Sequence, residues 1–429
     1  MERKKEGNLM AGKTIAVVAT LDTKGRETAF LKQLIEARGH RVLLLDTNTG
    51  GEPSIPADIS AGEIAKSAGG DIEEIRRSKD THKASSIMVE GASKIVNDLL
   101  ERGELHGIIS FGGASNTAMG TSIMKSLPFG IPKLMVSSTA AMPAYAGGYF
   151  GTKDITILHS VVDIAGLNPL VRDILKKGAG AICGMVEEGK GFTSLGGDVR
   201  EKPLVALTEF KFSEKCCSLI RKLLPEHGFE VIPFHAQGIS DQAMEDLIGE
   251  GLFKGVMDIV PAGVAEELLG GNRAAGPNRL ERAGEMGIPQ IVTPCGFEML
   301  SCGPLERGEK NDPLWISRNI KERKSFIPDP FRVQARTTAE ELQEIARAVA
   351  EKLNRAKGPV AFLIPRRGWS SLSEEGRPLH DPETDRVFVE ELKEKLNREI
   401  PVIEVDVPLN SPEFAEEAVK WFLKLTGEK

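Results

Sequence analysis

Positive charge is not in excess in this chain of 429 residues: 55 Lys and Arg stand against 62 Asp and Glu, for a formal net charge of -7. That balance argues against a nucleic-acid binder whose affinity rests on phosphate neutralisation. Long apolar runs are missing too. None reaches the roughly 18 to 20 residues that cross a bilayer, and the charged start Met1 to Lys5 has no apolar stretch after it, so a soluble cytoplasmic protein is expected. Cysteine is sparse and odd in number: the five, at 183, 216, 217, 295 and 302, form no CxxC pair and have no histidine at zinc-finger spacing. Reduced, mostly buried thiols are therefore expected. Aromatics make up only 5% of the chain.

Apolar and turn-forming residues are abundant, at 41% hydrophobic, with 45 Gly and 24 Pro. Glycine inside helices and strands is costly, so much of it belongs in tight or functional loops. The length suits two domains. Thr14 to Ala19 is a β-branched run, Glu27 to Arg38 has helical apolar spacing closed by Gly39, and Arg41 to Leu45 is apolar again and ends in Asp46. Helices at 59–68, 83–102 and 115–126 alternate with strands at 107–111 and 133–137. Buried strands alternating with amphipathic helices predict a parallel sheet covered on both faces.

A weaker copy begins near 203. Leu204 to Thr208 matches the first strand, Ser213 to His227 the first helix, Gly228 to Val231 the stretch from Gly39 to Val42, and Gly287 to Val292 the stretch from Gly130 to Met135. Either a duplication or two ordinary α/β units accounts for this. Further elements are predicted at 338–354, 359–364, 383–397, 402–405 and 412–425. The fold class is α/β: two tandem Rossmann-like subdomains with mainly parallel sheets covered by helices. The divisions are a flexible tail over 1–12, a nucleotide-binding domain over 13–195 and a second α/β domain over 196–429, with the boundary in the turn-rich stretch 191–198.

Residues 7–14 satisfy the P-loop pattern GxxxxGK[ST], but a polar tail precedes the glycine and a strand follows Thr14, the reverse of the required order. The strand-end loops are better candidates, because ligands bind beyond the carboxyl ends of parallel strands. Thr20, Asp22, Thr23 and Lys24 offer hydroxyls, a carboxylate and an ammonium suited to phosphate with magnesium, or else to helix capping with Lys24 solvated. Gly112, Gly113, Ser115, Asn116 and Thr117 run from a strand end into a helix, an anion site in the correct context. Ser137, Ser138 and Thr139 form another hydroxyl cluster. Tyr149, among Gly147, Gly148 and Gly151, is either a purine-stacking wall or a loop tip, and Asp163 could bring a carboxylate to the same edge.

These residues resemble the uncharacterised proteins related to the N-terminal region of the tomato mosaic virus resistance protein, described as a resistance protein-like ATP-binding domain. The likeness runs from Thr14 to about Leu425. It is carried by Ala19 to Glu27, Pro56 to Ile59, Phe111 to Ser115, Val162 to Asn168 and Pro365 to Ser370, co-linear matches far more specific than a lone glycine loop. The resemblance implies two α/β subdomains, ATP and Mg2+ on the N-terminal one, and a homodimer. It supplies no secure reaction. The chain departs from the family after Phe234-His235-Ala236, at Asp258 to Gly263 and at Cys295, which puts the second domain's ligand in doubt.

In that domain His235 with Glu245 is a candidate general acid/base pair, or His235 simply packs at a strand end. Cys295 is a candidate nucleophile or a buried thiol. Arg366, Arg367 and Ser370 could hold an anion, and His380-Asp381-Pro382 reads as a helix cap. The sequence thus leads to an ATP-binding protein, an ATP-dependent enzyme acting on a small anionic metabolite in an interdomain cleft. The alternative is a non-catalytic, nucleotide-controlled binding or scaffold protein.

Overall fold

A computed structural model describes residues 12–78, 80–189 and 202–427. The P-loop-like residues 7–11 and the expected boundary at 191–198 lie outside them. The chain forms two compact units, 1–200 and 201–429.

The first unit holds five strands: β1 (Thr14–Ala19), β2 (Arg41–Asp46), β3 (Gly107–Gly112), β4 (Lys133–Ser137) and β5 (Thr156–His159). All pair parallel, in the order β2-β1-β3-β4-β5. The apolar runs become central strands because both faces are covered. Along β1, Ile15, Val17 and Ala19 enter one core and Ala16 and Val18 the other, the two-residue alternation of a strand. The helices are α1 (Leu21–Glu36), α2 (Ala61–Ser67), α3 (Ile72–Arg77), α4 (Thr81–Glu101), α5 (Ala114–Lys125), α6 (Pro143–Phe150) and α7 (Pro169–Glu188). Helix α4 is set by Asp80, which accepts the Lys83 N–H at 2.9 Å, and it buries Met88, Ala92, Val96 and Leu99 along one face.

Two elements differ from the sequence expectation. Helix α1 starts at Leu21 rather than Glu27, so Thr20 to Gly25 is a helix start and not a loop. Gly25 lies inside the helix because a Cβ there would stand 2.0 Å from Ser54 Oγ; close packing, not a turn, requires it. The stretch around Tyr149 is helix α6, opened by Pro143, and Tyr149 is buried, which removes it as a stacking wall.

The second unit contains β6 (Leu204–Glu209), β7 (Glu230–His235), β8 (Gly255–Asp258), β9 (Gln290–Val292), β13 (Val360–Pro365) and β14 (Val402–Val405), all parallel in the order β14-β13-β9-β8-β6-β7. Counted from the first strand of each unit, the first five strands follow one order in both. Between β9 and β13 the chain inserts a small antiparallel sheet, β10 (Met299–Ser301), β12 (Arg332–Arg336) and β11 (Ser325–Asp329), in that order. Each face of the six-stranded sheet carries its own apolar core. Among the described residues, no helix is long and apolar enough to cross a membrane.

Candidate functional site

In the first unit the chain leaves β1 toward β2 on one side and continues from β3 to β4 and β5 on the other. At such a reversal the strand-end connections part and leave a crevice. Thr20 is the N-cap of α1 and Gly113 that of α5, and neither supplies a side-chain cap bond. Two helix N-termini therefore begin at one crevice; at α1 the Leu21 and Thr23 N–H groups are already taken by Asp46 Oδ1 and Asp22 Oδ1, at 3.0 and 2.8 Å, whereas no side chain caps α5. Asn116 Nδ2 spans it, donating to Thr20 Oγ1 at 3.3 Å and to the Phe111 carbonyl at 3.2 Å. Thr20 and Thr23 hydroxyls lie 3.1 Å apart. The start of α1 is fixed by buried Asp46 at the end of β2, which accepts the Leu21 N–H at 3.0 Å and both N–H groups of Asn48, at 3.1 and 2.8 Å.

Gly112 has φ +145°, a conformation that glycine alone adopts freely, so the chain can turn from β3 into α5. Beyond it, Ser137 Oγ accepts the N–H groups of Thr139 and Ala140 at 3.1 and 3.0 Å and meets Thr117 Oγ1 at 2.7 Å, while Ser138 N–H bonds the Gly112 carbonyl at 3.2 Å. A Cβ placed on Gly113 would stand 3.9 Å from both Ser138 Oγ and Asp163 Oδ1. Thr20, Thr23, Gly112, Gly113, Ser115, Asn116, Ser138 and Asp163 thus gather at one edge, with Thr139 in the adjoining hydroxyl turn.

Lys24 is placed differently. Its ammonium donates to the Ile164 carbonyl, and one turn on, buried Glu27 accepts the Gly166 N–H at 2.6 Å. Both tie α1 to the connection before α7, and the Lys24 ammonium keeps further donors beyond this one carbonyl. Glu27 was missed, although its three-residue spacing from Lys24 puts both on one helix face. Asp22 Oδ2 accepts the Gly51 N–H at 3.3 Å. Among the described residues, no group of three or more His, Cys, Asp or Glu side chains could hold a metal ion by itself.

The second unit does not bring His235 and Glu245 together. His235 Nδ1 lies 3.2 Å from the Glu209 carbonyl and Nε2 2.7 Å from Gln237 Nε2, so its ring is held by the strand end and by Gln237. Glu245 is buried against Arg279 Nη1 at 3.0 Å and the Leu280 and Arg282 N–H groups at 2.7 and 3.0 Å. Arg279, 1% exposed, also holds Asp241 and grips Asp258 with both terminal nitrogens at 2.6 and 2.7 Å. Burial raises the carboxyl groups of Asp241 and Glu245 above their usual range, partly offset by Arg279. The loop after β8, Ile259 to Ala262, is buried and apolar where the first unit has its glycines.

Cys295 is fully buried and its thiol is pushed well above its ordinary range by burial and then by Glu298, which makes it inert as a nucleophile. Arg367 pairs with Asp406 at 2.8 Å on the surface, whereas Ser370 is buried and accepts the Leu372 N–H, so these residues form no joint anion site. Asp381 caps the helix over Pro382–Lys395 through the Thr384 N–H.

Fold and site define the class: a two-unit α/β protein with parallel sheets of one strand order, whose first unit gathers hydroxyls and glycines at the sheet's reversal point. The N-terminal domain model of the uncharacterised protein family UPF0261 matches residues 13–191 and its C-terminal domain model residues 202–426. The chain belongs to the UPF0261 family. It is 38% identical over 404 residues to a UPF0261 protein of Clostridium tetani, covering 94% of this chain and 96% of that one. A UPF0261 protein of Brucella suis biovar 1 is 32% identical over 426 residues, covering 96% of each. The ToMV resistance protein Tm-1(GCR237) of Solanum lycopersicum is 31% identical over 349 residues, 80% of this chain but 44% of the tomato protein. Among solved structures, a UDP-N-acetylglucosamine 2-epimerase from Rickettsia bellii aligns at 10% identity and TM-score 0.22 over 66% of this chain and 79% of its own, too slight a likeness to bear on function.

Proposed function

We propose that the first unit binds ATP, with its phosphates at the N-termini of α1 and α5 and Mg2+ carried in with them. The supporting observation is the start of α5, left without a side-chain cap at the reversal point of the sheet and faced by the Thr20 and Thr23 hydroxyls at the start of α1, where free N–H groups and the positive end of the helix dipole favour an anion. In this reading Gly112 and Gly113 allow close approach, Thr20, Thr23, Ser115, Ser138 and Thr139 supply hydroxyls, Lys24 offers its remaining ammonium donors, and Asn116 braces the two sides. Magnesium on a nucleotide needs only one or two protein carboxylates; Asp22 and Asp163 suit that role.

The nucleotide then serves an ATP-dependent reaction on a small anionic metabolite, or controls assembly. Exposed Met142 just before α6, with Tyr145 and Phe150 on it, favours the second use, with a homodimer as the assembled form. The free, buried state of all five cysteines accords with a cytoplasmic setting. Calorimetric titration of the full chain with ATP and Mg2+ tests the site. Ser115→Asp suits an exposed helix first turn but sets a carboxylate against phosphate, so affinity should fall about tenfold or more. No heat with the wild type, or equal affinity in the variant, would remove the proposal. Appearance of ADP or AMP then marks an enzyme, and intact ATP with altered sedimentation marks a scaffold.

A further inference from the structure

Beyond the ends of β6 and β7, wholly within the second unit, lies a cavity of about 270 Å³. Its apolar wall contains Phe212, packed edge-on against Phe210 at 5.2 Å and Phe326 at 5.9 Å. The strand ends contribute His235 and Gln237, and the antiparallel insertion contributes Ser301, Gln334 and the turn with Phe331 and Arg332. No carboxylate lines it, whereas Lys211, Arg273 and Arg332 do.

Arg273 is the anchor. Fully buried Glu266 takes its Nε at 3.0 Å and Nη2 at 2.8 Å, Gln334 Oε1 takes Nη2 again at 3.0 Å, and the guanidinium lies 5.7 Å over the Phe210 ring. Three sides are held rigidly while Nη1 is left without a protein partner. Arg279 offers the contrast, since its Nε and both terminal nitrogens are all consumed by carboxylates. An arginine locked in place with one donor spare is preorganised for an incoming anion. Arg332 is matched by Asp329 and Arg273 by Glu266, so Lys211 leaves the cavity with a positive excess.

We propose that this cavity binds a small organic carboxylate with a planar apolar body. The charge meets Arg273 Nη1 and Lys211, and the body lies between Phe212 and Phe331. The volume falls just under the roughly 300–1,000 Å³ of pockets that take drug-sized ligands, which selects a compact metabolite over a nucleotide. Because its residues all belong to the second unit, the assignment stands apart from the ATP reading.

The test uses the full chain and three probes in ligand-observed NMR: benzoate, its neutral analogue benzamide, and inorganic phosphate. Benzoate should bind, with benzamide and phosphate each weaker by about tenfold or more. Lys211 and Phe331 are both exposed, so Lys211→Glu and Phe331→Glu should keep the fold, checked by circular dichroism, and each should weaken benzoate about tenfold. The inference is overturned by absence of benzoate binding, by benzamide or phosphate binding as well as benzoate, or by benzoate affinity unchanged in both folded variants. ATP titration of the same variants should match the wild type, which separates a failure here from a failure of the nucleotide site.

Discussion

Asp385, with its side chain 14% exposed, faces the guanidinium of Arg336, yet burial lifts its carboxyl from 3.8 to about 6, with Arg336 only partly opposing the rise. The folded chain therefore holds this proton more tightly than the unfolded one. The resulting stabilisation is fully present below the ordinary carboxylate value and is lost as pH rises through about 6. Urea denaturation of the wild type and Asp385→Asn at pH 4 and pH 7 should show the wild type losing on the order of 1–3 kcal/mol relative to the variant between the two. A constant difference would contradict the assignment. Such residues are hard to read in advance. Lys24 and Glu245 have the chemistry of site residues, but their partners, Ile164 and Arg279, lie far away in sequence. No local pattern shows that an ammonium bonds a distant carbonyl or that a carboxylate is held by a buried arginine.

Elements were legible where burial was continuous. The apolar runs of β1 to β4 identified themselves because a covered parallel strand needs no polar alternation, and the strand-to-helix order located Gly112 to Asn116. Short or half-exposed pieces were not: β5, with only Thr156–His159, and the insertion strands lack a run long enough to stand out. The start of α1 was misread because Gly25 looks like punctuation, although the structure explains it by contact. Gly25→Ala should therefore destabilise the fold by about 1–2 kcal/mol, against the usual preference for alanine in helices. Since the collision is with Ser54 Oγ, adding Ser54→Ala should restore part of the loss. Thermal denaturation of both variants checks this, and equal melting temperatures for the single and double variants would exclude the contact as the cause.

For the whole molecule, the two-unit α/β plan could be read from the repeated order of runs, but the common strand order could not, because pairing partners leave no mark in composition. That order is a common one for doubly wound sheets and fits duplication and two ordinary α/β units alike. Each unit has apolar cores on both faces of its own sheet, so the two halves expressed separately, as 12–189 and 202–427, should each unfold cooperatively in denaturant. Loss of near-ultraviolet circular dichroism in either half alone would show that its core is incomplete.

The Arg279 cluster has a consequence for counting. In the first unit the connection after the third strand offers glycines and free N–H groups; in the second it offers Val260 and Pro261, both buried, the proline with no N–H at all. Asp258, Asp241 and Glu245 outnumber the one guanidinium beside them and would repel a phosphate. Two units of one topology are thus not two equivalent receptors, and a nucleotide titration should saturate at a stoichiometry of one per chain.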